Sequence, residues 1–220
     1  VWRNSGSLDL LPLTGLQLRV STASQRDLHD YGDSTSIGRL AGEERGALLG
    51  QNVGIETQRN VTTFLSATPR LVTWLRPRLS LSTFFTLNRD PNAQSPVRDS
   101  GDTAGGFHIP AAFTNSRRLD VGAQLDTRRL GQQLFGDSAA LARLFARLAN
   151  LDVSYGRSYG STYFRVPFVP SLGYQFAAGG FDSFRRQGGT PAGSASDNLN
   201  LNAAGAAQLP LGLRVSANYQ

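Results

Sequence analysis

The chain has 220 residues, of which 17% are charged, against roughly 25% in a typical soluble domain. Its net charge of +6 rests on arginine alone, because lysine is absent, as are cysteine and methionine. This composition excludes disulfides, thiolate metal sites, cysteine nucleophiles, P-loops and Schiff-base chemistry.

Segments in which apolar residues alternate with polar ones recur along the chain. Such alternation predicts strands with one apolar and one polar face. In chain order, the apolar positions are Leu16, Leu18, Val20 and Thr22; Val53, Ile55 and Thr57; Leu79, Leu81, Thr83, Phe85 and Leu87; Leu119, Val121, Ala123, Leu125 and Thr127; Leu151, Val153, Tyr155 and Tyr159; Leu172, Tyr174 and Phe176; Leu199, Leu201 and Ala203; and Leu211, Leu213, Val215, Ala217 and Tyr219. Charged and amide residues on the reverse faces are costly to bury, so the sequence predicts a sheet exposed to water on one side.

Three segments place a proline just before alternating leucines, at 11–23, 74–85 and 209–219. Proline suits the beginning of a strand, where its missing N–H breaks no ladder bond. We interpret these segments as an internal repeat in which each copy starts a strand from the same side of a sheet.

The predicted connections fall into two kinds. Those at 71–77 and 207–211 are short, whereas 26–46, 90–116 and 179–196 are long and polar. Short turns on one side and long loops on the other are typical of outer-membrane barrels. This assignment of connections to two ends of the sheet is consistent only if residues 150–178 form one strand across the sheet or contain an additional turn near 165–170. The sequence leaves both possibilities open.

A length comparison favours lipid as the contact of the apolar face. From Trp74 to Phe85 an extended strand measures about 36 Å, which a tilt near 40° projects to about 28 Å, close to an apolar membrane band about 25 Å tall. The predicted interfacial aromatics are Trp74 and Tyr219. The predicted membrane-facing residues are Leu79, Leu81, Phe85, Leu87, Leu119, Val121, Leu125, Leu213 and Val215. The alternative is that Trp74 packs a turn in a soluble sheet.

One short amphipathic helix is predicted near 138–149. Leu141, Leu144, Phe145 and Leu148 recur at helical spacing, and Asp137 or Ser138 is the expected N-cap. The loop pattern places this helix on the short-turn side, which in an outer-membrane barrel is periplasmic. It either rests on a membrane surface or, as we favour from the sequence, connects two strands while packed under the barrel.

Residues suited to catalysis or metal binding are sparse. Asp27, Asp30 and Asp33, and likewise Asp99 and Asp102, lack the spacing of an EF-hand, and Glu43 and Glu44 are expected to be solvated loop acids. His29 and His108 also fall in loops, and only His108 is worth testing as a rim hydrolase residue. The sequence therefore predicts no catalytic residues, no cofactor, no metal site and, since its arginines are scattered, no nucleic-acid partner.

The segments 74–92, 11–32 and 209–220, read as WLRPRLSLSTFFTLNRDPN, LPLTGLQLRVSTASQRDLHDYG and LPLGLRVSANYQ, resemble wall segments of the SprA (Sov) family. Members of that family are giant outer-membrane translocons of the type IX secretion system. The resemblance covers most of the chain, but as a general pattern of residues rather than as a diagnostic motif. It carries over no catalytic residue. It implies a wide pore through which folded cargo leaves the periplasm, with accessory secretion proteins as partners.

We therefore expect an all-β fold, an antiparallel outer-membrane β-barrel wall of about eight strands. Residues 1–220 would form a single barrel segment, a fragment of a longer chain, located in the bacterial outer membrane. The expected function is a section of a protein-export channel; the partners would be the lipid bilayer, secreted cargo and accessory proteins. Two alternatives stay open: a small porin or receptor-type barrel, and a soluble or cell-surface β-rich adhesin whose apolar faces pack on each other.

Overall fold

The computed structural model describes residues 1–29, 36–48, 51–91, 93, 96–98, 106–136, 140–148, 150–208 and 214–219. Its elements in chain order are β1 (Trp2–Leu13), β2 (Leu16–Asp27), α1 (Ser36–Glu43), β3 (Ala47–Leu48), β4 (Gln51–Asn52), β5 (Ile55–Ala67), β6 (Leu75–Arg89), β7 (Val97–Arg98), β8 (Phe107–His108), β9 (Ala111–Leu125), α2 (Thr127–Phe135), α3 (Ala140–Arg147), β10 (Leu151–Val166), α4 (Leu172–Gln175), α5 (Phe181–Arg185), β11 (Arg186–Gln187), β12 (Thr190–Pro191), β13 (Ser194–Gln208) and β14 (Arg214–Tyr219).

Eight long strands form one antiparallel sheet in the order β1-β2-β5-β6-β9-β10-β13-β14. Six short strands form three separate two-stranded hairpins outside it. The prediction of a mostly antiparallel β-sheet is thus confirmed, although five helices in the part of the chain that the structure describes accompany the sheet where one was predicted. Within the described residues β1 pairs only with β2 and β14 only with β13, so both edges of the sheet are open.

Three of the four long connections lie at one end of this sheet. The short turns lie at the other end, together with the fourth long connection, 126–150 between β9 and β10. The chain passes from β2 to β5, from β6 to β9 and from β10 to β13 at one end, which we call the upper end, through long connections. At the other, lower end, β1 turns into β2 within two residues, and β5 joins β6 through 68–74. The turn at the lower end depends on Gly15, whose φ of +85° is strained for any residue with a side chain.

The structure shows whether residues 150–178 form one strand of the sheet or two. β10 crosses once, and the predicted strand at Leu172, Tyr174 and Phe176 is wrong, because α4 occupies that position. The sheet still has eight strands because β1, which was not predicted, takes the missing place. The strands of the first two proline segments, β2 and β6, run in the same direction, as the repeat predicts.

Residues 167–193, which we call the cap segment, fold back over one face of the sheet at its upper end. The largest core cluster lies there and contains Val61, Phe85, Leu87, Ala111, Phe113, Tyr163, Val166 and Tyr174. Tyr159, Ala177 and Phe184 form an adjoining cluster, and Ala41, Ile55 and Ile109 form a third beside α1. The protein core is therefore concentrated at the end of the sheet that carries the long connections.

A hairpin of two helices joins β9 to β10 at the lower end. Asp126 caps α2 by accepting a hydrogen bond from Arg129 N at 3.1 Å, and Gly136 ends it with a φ of +73°. α3 matches the single helix predicted near 138–149, whereas α2 was not predicted. The predicted N-caps Asp137 and Ser138 lie outside the described residues. No helix in the described ranges is long and apolar enough to cross a bilayer.

Candidate membrane-facing surface

The strand register aligns apolar side chains across the width of the sheet. One row of directly paired residues contains Leu10, Leu18, Leu65, Leu81, Leu119, Arg157 and Leu199, and we call it the leucine row. The next row toward the lower end contains Leu16, Ala67, Leu79, Val121, Tyr155 and Leu201. Paired residues point to the same side of a sheet, so both rows belong to one face, which we call the apolar face.

Much of this apolar face is exposed below the cap segment. Leu10, Val121 and Leu201 each expose 41–44% of their surface, and Leu199 exposes 64%. Soluble monomers rarely expose contiguous apolar patches larger than a few hundred Å², and larger ones mark interaction surfaces. The exposed residues of the apolar face are therefore a candidate interaction surface.

The opposite face, which we call the polar face, is stabilised by charge pairs between strands. The Arg78 guanidinium binds the Asp152 carboxylate in a bidentate pair, and Arg19 Nη2 lies 2.6 Å from Asp9 Oδ2. Asn198, Asn200 and Asn202 follow one another along β13 on this face. These side chains are partly exposed and suit a water-filled surface rather than a packed core.

The leucine row is interrupted once, by Arg157. Its guanidinium binds the Asp197 carboxylate, with Nη2 2.8 Å from Oδ2, and lies 5.0 Å from the centre of the Tyr159 ring. Asp197 and Tyr159 belong to the next row toward the upper end, directly paired with each other. The charge of Arg157 is thereby drawn toward the cap segment, so at β10 and β13 the leucine row marks the upper limit of the apolar surface.

The cap segment is bound to the sheet through buried polar contacts. The Tyr174 hydroxyl lies 2.7 Å from Ser161 Oγ, and the Asn115 amide donates to the Tyr174 carbonyl. Arg117 Nη1 donates to two cap carbonyls, those of Ala177 and Gly179. Burial raises the pKa of Tyr174, so its phenol stays neutral and can donate. The cap segment therefore covers the upper part of the apolar face with protein.

Two of the predicted membrane-facing residues lie under this cap. Phe85 and Leu87 are fully buried, and the Phe85 ring packs edge-on against Tyr174 with centroids 6.2 Å apart. The prediction that they face lipid is wrong, because protein already occupies that side of both. Phe85 was the upper end point of the Trp74–Phe85 length comparison. It therefore belongs to the protein core rather than to a membrane interface.

The remaining predicted residues lie on the apolar face or in its lower turn. Leu79, Leu81, Leu119 and Leu125 are half-buried, whereas Val121, Val215 and Tyr219 are exposed. Trp74 lies in the turn before β6, half-buried, and its carbonyl accepts a hydrogen bond from Asp126 N at 2.8 Å. Leu213 lies outside the described residues. Their contact with lipid stays a prediction.

Sequence reasoning missed three parts of this surface. Leu8 and Leu10 were missed with β1, and Leu65 was missed because Phe64 interrupts the alternation of Val61, Thr63 and Leu65. The pairing of Arg157 with Asp197 could not be seen, since it depends on the register between β10 and β13. The signal for Leu65 was present in the sequence; the signal for the ion pair was not.

A cluster around Glu44 joins the connections at the upper end. Glu44 Oε1 accepts a hydrogen bond from Ile109 N at 3.1 Å and lies 3.3 Å from His108 Nδ1, while Arg89 binds Oε2. Glu44 is only 18% exposed, so the expectation that it is a solvated loop acid is wrong, whereas Glu43 is exposed. The carboxylate serves to join α1 to the ends of β6 and β8.

Other candidate ligands do not assemble in the described ranges, where no group of three or more histidine and carboxylate residues could hold a metal. Asp27 Oδ1 accepts a hydrogen bond from His29 N, which orders the end of β2. Asp30, Asp33, Asp99 and Asp102 lie outside the described residues.

At the lower end, a cleft of about 890 Å³ is lined by Arg70, Arg76, Arg78 and Arg129 together with residues of the 68–74 turn.

No protein-family model matches the chain, and no curated protein matches it significantly.

Proposed function

We propose that this chain is a section of an outer-membrane β-barrel wall, with its apolar face toward lipid and its polar face toward an aqueous lumen. The observation that carries the proposal is the leucine row, which places a leucine on six of seven adjacent strands and Arg157 on the seventh. A transmembrane barrel wall requires this arrangement, since each strand must alternate between lipid and lumen. Three of the four long connections lie at one end of the sheet and the short turns lie at the other, which supports the same assignment.

The narrower proposal, based on the resemblance to the SprA family, is that the wall belongs to a protein-export channel in the bacterial outer membrane. Its function would be passive. The apolar face would anchor the sheet in the bilayer, the polar face would contact secreted cargo, and the upper connections would shape the exit. Accessory secretion proteins would gate the pore. A porin or receptor-type barrel would use the same two faces for a smaller solute.

A second candidate of another class is a soluble or cell-surface β-rich adhesin. One observation favours it: the cap segment shows that protein can pack on the apolar face, at Phe85 and Leu87. In that case the exposed leucines would be covered by protein as well. The two candidates therefore differ in what contacts Leu201, a residue of the apolar face that is 44% exposed.

Spin labelling distinguishes lipid, water and protein as that contact. The chain contains no cysteine, so Leu201→Cys and the adjacent Asn200→Cys each give a single labelling site in a wild-type background. After reconstitution in phospholipid vesicles, we expect the label at 201 to collide mainly with oxygen, which concentrates in the bilayer. The label at 200 should collide mainly with a water-soluble nickel complex. A label at 201 that is shielded from both reagents would overturn the barrel proposal and support the adhesin.

Photo-crosslinking tests the narrower export proposal. A photoreactive amino acid is placed at Asn200 or at Leu201 of the parent protein in living cells. We expect adducts with secreted proteins at 200 and not at 201. Lipid-facing placement of 201 without any protein adduct at 200 would leave a barrel wall but would remove the export function.

A further inference from the structure

The helical hairpin has one apolar side. The two helices are antiparallel, because Thr127 Oγ1 donates to the Leu148 carbonyl at 2.8 Å while Gly131 packs directly on Phe145. At 100° per residue, the positions on α3 that lie together beside this contact are Leu141 and Leu144, and Leu148 follows directly after the helix. On α2 the corresponding position is Leu134. In an antiparallel pair these stripes lie on the same side, which we call the leucine side of the hairpin.

The leucine side has no cover in the described part of the chain. Leu134 is 61% exposed, Leu144 57% and Leu141 51%. The contacts between the helices are made instead by Gly131, Phe145 and Phe135, whose ring lies 5.7 Å from that of Phe145. The two helices therefore pack on each other without these leucines. The leucine side chains are free to contact an apolar phase outside the protein.

The charges of the hairpin indicate which apolar phase its leucine side contacts. The helices carry four arginines, Arg128, Arg129, Arg143 and Arg147, and neither helix contains an acidic residue. The side chains of Arg128 and Arg147 are exposed and form no ion pair with any described residue. A surface that combines leucines with unpaired arginines matches a lipid interface, where apolar chains lie next to anionic phosphates.

The hairpin is also continuous with the apolar face. Leu148 forms a strand-like bridge with Ala207 of β13, and β10 begins only three residues later at Leu151, which is itself 40% exposed on the apolar face. The leucine side therefore begins where the lower border of the apolar face ends. A membrane that covered the apolar face of the sheet would therefore also reach the leucine side of the hairpin.

We propose that the α2–α3 hairpin is an interfacial anchor that lies in the headgroup region of the periplasmic leaflet, with its leucine side toward the acyl chains and with Arg128 and Arg147 at phospholipid phosphates. This inference rests on the proposed barrel wall for its orientation. It replaces the sequence-based preference for a helix packed under the barrel. The hairpin would fix the lower edge of the sheet at the membrane surface and bind anionic phospholipid there.

The test uses the same spin-label measurement at two positions of the hairpin. Leu144→Cys places the label on the leucine side, and Gln132→Cys places it on α2 at an exposed position away from that side. The full chain is reconstituted in vesicles of phosphatidylethanolamine with a minor fraction of phosphatidylglycerol. We expect oxygen collisions to dominate at 144, at a depth shallower than that of Leu201, and nickel-complex collisions to dominate at 132.

The outcomes separate this inference from the barrel proposal. A label at 201 in lipid with the label at 144 in water would overturn the anchor and leave the barrel wall intact. Shielding of 144 from both reagents would show that protein covers the leucine side, and would also overturn the anchor. Failure at 201 with lipid contact at 144 would overturn the barrel wall while the hairpin remained a membrane anchor.

A charge variant tests the role of the arginines. The double variant Arg128→Gln with Arg147→Gln keeps the leucines and both helices but removes two cations. We expect the label at 144 to become more accessible to the nickel complex, as it should also in wild-type protein when phosphatidylglycerol is omitted. An unchanged accessibility in both experiments would overturn the proposed binding of anionic headgroups.

Discussion

Arg78 and Asp152 form an ion pair across a strand to which neither belongs. Arg78 lies on β6 and Asp152 on β10, and β9 runs between them, yet Nη2 and Nη1 of the arginine lie 2.7 and 2.9 Å from the two carboxylate oxygens. The contact is feasible because β9 has Gly122 at the crossing point. A Cβ there would lie 2.6 Å from Arg78 Nε.

Replacement of Gly122 should therefore abolish the coupling between Arg78 and Asp152. A double-mutant cycle on this partly exposed pair should give about 0.5–1 kcal/mol in the wild-type background. In Gly122→Ala the guanidinium must move away, and the coupling should fall to nearly zero. Gly6→Ala is the control, because its added Cβ meets nothing closer than 4.0 Å. Retained coupling in Gly122→Ala would show that Arg78 reaches Asp152 by another path.

Arginine substitution at two adjacent positions of β6 should show which face contacts lipid. Leu81 belongs to the leucine row and Ser82 to the polar face. In vesicles, we expect Leu81→Arg to lower the free energy of unfolding by about 2–4 kcal/mol if the row lies near the bilayer midplane. Ser82→Arg should change it by less than about 0.5 kcal/mol. Equal costs at both positions, measured by denaturant titration, would contradict the assignment of faces.

Tyr174 should be the residue on which the cap segment depends most. Tyr174→Ala removes a buried ring and should cost about 3–5 kcal/mol, whereas Tyr174→Phe loses only the bond to Ser161 and should cost about 1–2 kcal/mol. The control is Phe176→Leu in the same segment, which is 40% exposed and should have little effect. Limited proteolysis of the cap segment would follow the same order; equal protection in all three variants would refute it.

The raised pKa of Tyr174 also predicts an alkaline loss of stability. Burial favours the neutral phenol, so the folded state holds its proton above the ordinary tyrosine pKa of about 10. The resulting stabilisation is complete below that pH and is lost as the pH rises above it. The difference in unfolding free energy between wild-type protein and Tyr174→Phe should therefore decrease as the pH rises from about 10 to about 12. A difference that stays constant over this range would contradict the assignment.

The adjacent acids Glu43 and Glu44 should respond differently to the same substitution. Glu44→Gln removes the charge that neutralises Arg89, which is only 11% exposed, and should cost about 2–3 kcal/mol. Glu43→Gln should cost less than about 0.5 kcal/mol, because Glu43 is exposed. Hydrogen exchange of residues 107–109 should accelerate only in the Glu44 variant. Equal behaviour of the two variants would show that the cluster does not hold these connections together.

The strands that the sequence predicted correctly are those in which alternation is strong. In β6, leucine and phenylalanine alternate with serine, threonine or arginine, and burial on one face is enough to make it a strand. In β9 only the second half alternates, at Leu119, Val121, Ala123 and Leu125, and the first half lay in the predicted loop 90–116. β1 was missed because its first half, from Trp2 to Ser7, has few apolar residues and is held by pairing with β2. Local pattern therefore predicts a strand only when the strand supplies its own apolar face.

The wrong predictions depend on contacts distant in sequence. Tyr174 and Phe176 alternate as in a strand, but Ser171 caps a helical turn there and Tyr174 packs on β6 and β9. The burial of Phe85 and Leu87 has the same cause, since a segment about 90 residues away covers them. Alternation shows that a face is apolar; it does not show whether lipid or a later part of the chain covers it.

The lengths of the central strands relate the cap segment to the membrane. β6, β9 and β13 have 15 residues and β10 has 16, whereas a tilted membrane strand needs about 9–11. The additional residues lie at the upper end, where Tyr174 and Phe184 pack on the apolar face. In the proposed barrel wall, the cap segment would meet the headgroups before the sheet could sink further into the bilayer, and would therefore set how far the sheet projects from the membrane.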